Sequence, residues 1–312
     1  MNLDELDAFV AVIDHGSIVA AAARLNLTQS AVTRRIQNLE DSLGTSLLNR
    51  RTRPISATEL GTQTYRFARG VISSIEDLKS SVSHKGVPSG EFRFGVCAGL
   101  GEESLLEPIK ILGRLYPKLQ LRASARWSSV LVERLRSGEL DAAVVLLAQE
   151  VDPPPGLQGE RIGTDELAVL ASRELKFPKR TTLNDLKHHV WILNPEGCIR
   201  RDKLRRALLR QNIPFKLLVE ADGFTLQLSL IEQKLGIGLT VPMGFTASSF
   251  RDRLQLVRVK DFLPKLNIWL LHTKHTNRLA KPIQTLKDIF LRAEDTSNQR
   301  QSITSESKKG LS

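Results

Sequence analysis

Two cysteines are all that the 312 residues contain. Cys97 and Cys198 stand about a hundred positions apart without CxxC spacing, so neither a zinc site nor a disulfide framework is expected, and both read as small, mostly buried residues. No apolar run approaches the roughly 18 residues of a spanning helix, and the start MNLDELDAFV is acidic, without the basic and apolar regions of an export signal. No membrane partner is expected, and the location should be cytoplasmic. Catalytic patterns are also missing. The histidines at 15, 84, 188, 189, 272 and 275 make no HExxH or other recognisable arrangement, so a nucleophile such as Cys97 or a serine would lack its base. Gly99-Leu100-Gly101 and Gly236-Ile237-Gly238 lack the remaining glycine of a dinucleotide fingerprint. No catalytic residue, metal ligand or cofactor is assigned, and the chain is not expected to be an enzyme.

What is there is an ordinary globular composition, 41% hydrophobic and 25% charged, on a length that suits about two domains. The net charge of +11 lies wholly within residues 85–292, whereas 1–84 and 293–312 are each balanced. Within the balanced N-terminal segment, however, the arginines at 24, 34, 35, 50, 51, 53, 66 and 69 face only Glu40, Asp41 and Glu59, while Asp4, Glu5, Asp7 and Asp14 precede them. Local charge therefore points to a polyanion more clearly than the sum does.

Helical periodicity opens the chain. Leu3, Leu6, Phe9, Val10 and Ile13 make one helix, stopped at Gly16. Ser17 can cap a second, whose Ala20–Ala23 run allows a close approach to a neighbour. Thr28 can cap a third, with Val32, Ile36, Leu39 and Leu43 as its apolar stripe and Gly44 as its end. The opposite face carries Gln29, Ser30, Thr33, Arg34 and Gln37, groups suited to base edges in a major groove. Arg50, Arg51 and Arg53 then precede Pro54, and Ile55-Ser56-Ala57 reads as the return strand of a hairpin wing that grips backbone or minor groove.

The stretches LDAFVAVIDHGSIVAAAARLNLTQSAVTRRIQNLEDSLGTSLLNR and RPISATELG resemble the DNA-binding domain of LysR-type transcriptional regulators. The resemblance implies base and phosphate contacts at Gln29, Ser30, Thr33 and Arg34 and wing contacts at Arg50 and Arg53. Leu48 and Leu60 stand where that family usually has Phe and Ala, changes that keep apolar character. It further implies a sequence-specific regulator, activator or repressor, on double-stranded promoter DNA. The rival reading is a solute-binding protein without a regulatory DNA role, which would leave the first domain unexplained.

From Glu59 to Ser83, Thr64, Ala68, Val71, Ile75, Leu78 and Val82 fall at heptad steps. The resemblance implies dimerisation through this linker helix, at Ala68, Val71, Ile75, Leu78 and Val82, and pairing of dimers into tetramers. Beyond a hinge at 85–90, strand-like and helix-like segments alternate, which argues for open parallel sheets with helices on both faces. The expected fold is an N-terminal all-α winged helix-turn-helix (1–58) and linker helix (59–84), followed by a C-terminal α/β domain (91–293). The resemblance makes that domain two Rossmann-like lobes of the periplasmic-binding-protein kind, about 91–161 with 267–292 and about 162–266, with a small-molecule effector between them. Expected lining positions, at strand ends facing that cleft, are Ala98, Gly99, Leu100, Trp127, Ser128, Asn194, Asp222 and Phe224. Free amides at a helix start there would suit an anionic effector. The basic helix bearing Arg200, Arg201, Lys203, Arg205, Arg206 and Arg210 reads as a solvated face, a subunit contact or an anion site. Residues 294–312 are expected to be disordered.

Overall fold

The computed structural model describes residues 1–82, 88–246, 248–273 and 277–306. Its contacts divide the chain into two compact units, one formed mainly by residues 1–86 and the other by nearly all the rest.

In the first unit, α1 (Leu3–His15) begins with a capping box: Asn2 Oδ1 accepts from the Glu5 amide at 3.0 Å, and the Glu5 carboxylate accepts from the Asn2 amide at 2.9 Å. Gly16 ends the helix at φ +62°, a left-handed conformation that side chains resist, and a Cβ there would lie 2.6 Å from Pro54 Cβ. Ser17 caps α2 (Ile18–Leu25), Thr28 caps α3 (Gln29–Leu43), and Gly44 ends α3 in the left-handed region. The core closes around Phe9, Val12, Ala21, Val32, Ile36 and Leu39, none more than 1% exposed. Each of the large aliphatic side chains among them contributes about 1.5–3 kcal/mol by leaving water. The hairpin of β1 (Leu48–Asn49) and β2 (Ser56–Ala57) is antiparallel and is followed by α4 (Glu59–Val82).

The second unit holds a five-stranded sheet in the order β4-β3-β5-β12-β6. β3 (Gly90–Cys97), β4 (Leu119–Arg126) and β5 (Ala142–Ala148) are parallel, with α5 (Leu106–Leu115) and α6 (Ser128–Arg136) in the connections. β6 (Gln158–Glu166) leads out to the second lobe, and β12 (Lys265–His272) returns to run antiparallel to both β5 and β6. The second lobe contains β7 (Ala168–Ser172), β8 (Trp191–Leu193), α7 (Ile199–Arg210), β9 (Leu217–Glu220), α8 (Phe224–Glu232), β10 (Gly238–Thr240), the short α9 (Pro242–Thr246) and β11 (Leu254–Val257). β10 and β11 flank β7 antiparallel, β8 pairs with β9 in parallel, and a single bridge from Trp191 to Ile237 adjoins the two sets. No described helix is long and apolar enough to cross a membrane.

Three expectations change. The five-stranded sheet is mixed rather than parallel, because a chain that leaves the first lobe on β6 and comes back on β12 must place the two strands in opposite senses, and the second lobe joins an antiparallel set around β7 to the parallel pair β8 and β9. The five-stranded sheet keeps residues as far as Glu166 and takes them again from Lys265, beyond the anticipated lobe borders at 161 and 267. Finally, α10 (Ala280–Glu306) runs well past residue 293, where disorder was expected. Leu286 and Phe290 anchor its first half in the core, and no proline interrupts the polar continuation, so adding each residue costs far less than nucleating a helix anew. Residues 83–87, which include half of the anticipated hinge, and 307–312 lie outside the described residues, and Gly90 already opens β3.

Candidate DNA-binding face and effector cavity

On α3, Thr28 Oγ1 accepts from the Ala31 amide at 3.2 Å and so fixes where the helix starts. Gln29, Ser30, Arg34 and Gln37 are exposed along one face. Arg34 makes no ion pair among the described residues, whereas its neighbour Arg35 is tied to Asp4 of α1 at 2.8 Å. Thr33 is half-buried and its hydroxyl donates to the Gln29 carbonyl at 2.8 Å, so it enters the face with its proton already engaged. In the wing, Glu40 accepts from the Leu47 amide at 2.8 Å and pairs with Arg50 at 2.7 Å. Arg50 thus braces the wing against α3, while Arg51 and Arg53 are exposed and make no ion pair among the described residues. The Ile55 amide donates to the Gly16 carbonyl at 2.9 Å and seats the wing on the end of α1.

A buried network joins α1 to α4. The Tyr65 hydroxyl donates to Asp14, and Arg69 pairs with Asp14 and donates to the Tyr65 oxygen at 3.0 Å. Burial, reinforced by the Asp14 carboxylate, pushes the Tyr65 phenol well above its ordinary range. The heptad seam divides here. Ala68 is 2% exposed and packs into its own unit's core, so it is withdrawn from the dimerisation set, and the Val82 side chain lies outside the described residues. Val71 and Leu78 are exposed and Ile75 is half-buried. Phe67, which the heptad count passed over, is 77% exposed; with Gly70, Val71, Ser74 and Ile75 it borders an open groove. An aromatic one position before a seam residue was the available signal.

In the second unit a cavity of about 240 Å³ opens between the lobes. The first lobe supplies Cys97, Trp127, Ser128, Ser129, Val132, Leu146, Leu147 and Pro154, and the second supplies Gly197, Cys198, Ile199 and Arg200. Ser128 caps the corner: it donates to Cys97 Sγ at 3.2 Å and accepts from the Leu146 amide at 2.9 Å. Trp127 Nε1 donates to Asp222 across the cleft. The Arg200 guanidinium lies 5.5 Å from the Trp127 ring centroid and donates to Asn194 Oδ1 at 2.8 Å and the Leu239 carbonyl at 3.3 Å. At the rim, Lys203 of α7 pairs with Glu150 at 3.3 Å. A bond from its own backbone amide, together with Lys203, holds the Glu150 carboxyl below the usual carboxylate range, so this link persists at neutral pH and is lost only on strong acidification.

Of the eight expected cleft residues, Trp127 and Ser128 line this cavity. Ala98, Gly99 and Leu100 do not: a Cβ on Gly99 would meet the Arg200 guanidinium at 3.1 Å, and the Gly99 carbonyl would lie 2.6 Å from a Cβ on Gly244 of α9. That close inter-lobe contact seals them, and Leu100 is 1% exposed. Asn194 sits behind Arg200 and holds it, Asp222 orients Trp127, and Phe224 is buried in the packing of the second lobe. Both cysteines face the cavity, a proximity invisible in their spacing. The basic helix resolves residue by residue. Arg200 is buried at the cavity, Arg201 pairs with Glu220 and Glu196, Lys203 pairs with Glu150, and Arg205, Arg206 and Arg210 are exposed. Among the described residues no cluster of His, Cys, Asp and Glu is composed like a metal site.

Residues 3–62 match the family model described as bacterial regulatory helix-turn-helix protein, lysR family, and residues 85–294 match that of the LysR substrate binding domain. The HTH-type transcriptional regulator GltR of Bacillus subtilis (strain 168) is 25% identical over 303 residues, covering 91% of this chain and 100% of the relative. Among solved structures, full-length OxyR from Pseudomonas aeruginosa superposes with a TM-score of 0.76 at 18% identity, covering 94% of this chain and 95% of that one. Full-length CbnR complexed with its target DNA gives 0.60 at 22% identity, over 94% and 100% of the two chains.

Proposed function

The chain belongs to the LysR family of bacterial helix-turn-helix regulators, and from that premise we propose which of its residues meet operator, effector and partner subunit. It is a DNA-binding transcription regulator with an effector-binding C-terminal domain. Gln29, Ser30, Arg34 and Gln37 read base edges, the Thr33 hydroxyl oxygen accepts at the same face, and Arg53 with Arg50 grips the backbone beside it. The observation that carries this reading is Arg34, exposed on the reading face and without an ion pair among the described residues, next to an Arg35 that is consumed by Asp4.

The cavity around Trp127, Ser128 and Arg200 holds the effector, and protomers pair through the exposed face of α4 at Phe67, Val71 and Leu78, in a homodimer that pairs again as a tetramer. Two linked reading heads on a palindromic operator gain affinity from effective concentration. An effector regulates to the extent that it binds one arrangement of the lobes more tightly than another.

The test is a gel shift of the full chain on the DNA immediately upstream of its own gene, with competitor DNA at fixed salt. A discrete complex that survives competitor and is lost on Arg34→Ala or Gln29→Ala supports the assignment. Binding that is weak, competed by any duplex and indifferent to both changes would remove it.

A further inference from the structure

At the inter-lobe cavity, Arg200 is a charge that no acidic side chain among the described residues balances. Arg200 is 2% exposed, and no acidic side chain lies within 4.0 Å of its guanidinium among the described residues. Its two hydrogen bonds run to neutral acceptors on Asn194 and Leu239, which leaves three of the five guanidinium hydrogens without a protein acceptor, in a side chain that lines the cavity. The next basic residues of the same helix are neutralised, Arg201 by Glu220 and Lys203 by Glu150. A buried, unpaired cation is unfavourable, and a matched anion relieves it.

Two further observations lie at the same corner. α7, a helix of 12 residues, starts at Cys198 with no side-chain cap, and its entry at Gly197, Cys198 and Ile199 lines the cavity, so the orphan amides of its first turn have an anion-binding geometry. Asn194, 3% exposed and bonded to Arg200, has an amide nitrogen with no partner. Facing it, the first lobe contributes hydrocarbon from Val132, Leu146, Leu147 and Pro154 beside Ser128 and Ser129. The space, about 240 Å³, is smaller than the roughly 300–1,000 Å³ of drug-sized sites.

The geometry points to a small monocarboxylate with an apolar body as the effector class, its carboxylate on Arg200 and the start of α7 and its hydrocarbon against Val132, Leu146 and Leu147. This assignment rests on reading the cavity as the effector site.

The experiment measures the melting temperature of the full-length protein with millimolar acetate, isobutyrate, benzoate and phenylacetate, each beside its uncharged amide, and with inorganic phosphate. At least one carboxylate should raise it by several degrees, while its amide and phosphate should not. Arg200→Met should weaken that carboxylate at least tenfold, and the ligand-free melting temperature of the variant, read alongside, separates lost binding from lost folding. Leu147→Trp fills the cavity and should abolish every response. A carboxylate response that survives Arg200→Met, or a panel in which no carboxylate acts, overturns the proposal. Equal responses to carboxylates and amides that vanish in Leu147→Trp also overturn it but keep the cavity as the effector site, whereas responses unchanged in Leu147→Trp remove both.

Discussion

Arg34 and Arg35 are adjacent in the sequence and opposite in role, and the difference is one carboxylate. Arg35 is held by Asp4, whereas Arg34 is exposed and makes no ion pair among the described residues, which is why the proposed operator contact falls on it. Arg34→Ala should therefore weaken specific binding by about 1–3 kcal/mol in a gel shift while leaving the melting temperature unchanged. Arg35→Ala should do the reverse on a small scale, with a loss of stability under about 1 kcal/mol. In the wing, Arg53→Ala should weaken binding to every duplex alike and lower the salt dependence of log K by about one, as loss of one phosphate contact requires; titrations at several salt concentrations read it directly. A base-dependent loss would move Arg53 to the reading set. The polar face of α3 was legible because helical spacing and a capping Thr28 suffice to define it. Which arginines are available was not, since Asp4 and Glu40 reach them across the fold.

At the level of elements, α4 serves two surfaces. Its inner side is fastened to α1 through Tyr65, Asp14 and Arg69, and Tyr65→Phe should cost about 1–2 kcal/mol in denaturant unfolding, the hydroxyl being buried between both partners. The raised Tyr65 phenol stabilises the fold fully below its ordinary pKa near 10, a contribution lost as pH rises through the higher folded value, and Tyr65→Phe should remove that alkaline dependence. The outer side exposes Phe67, Val71 and Leu78 among the described residues. Phe67→Glu should leave each subunit folded, by circular dichroism, and shift sedimentation toward the monomer; an unchanged sedimentation coefficient would move the subunit contact away from α4. The heptad count found the helix and three of its outward residues but took in Ala68, because a 3.5-residue period cannot tell a seam facing a partner from one facing the chain's own core.

For the molecule as a whole, pH should act through His189, whose ring contacts Phe177 at 5.5 Å in the second unit. Partial burial, with His188 alongside, lowers its pKa from the usual 6.5. The folded state then binds fewer protons than the unfolded one, so this contribution is present above pH 6.5 and is lost as pH falls through the lower folded value. Melting temperature should decline from pH 7 toward pH 5, and His189→Gln should flatten that slope. The inter-lobe link of Lys203 with Glu150 should hold over the same range, because the Glu150 carboxyl stays ionised there.

The sequence by itself determined what depends on near neighbours: helix starts at Ser17 and Thr28, helix ends at Gly16 and Gly44, the apolar stripe of α3, and the alternation of strands and helices beyond residue 90. Caps, periodicity and turns act over three or four residues, so they can be read along the chain. The tertiary structure alone decided the antiparallel return of β12, the sealing of Gly99 under Arg200, the meeting of Cys97 and Cys198 at one cavity, and the isolation of Arg200 among basic residues that found partners. Those depend on which distant segments touch.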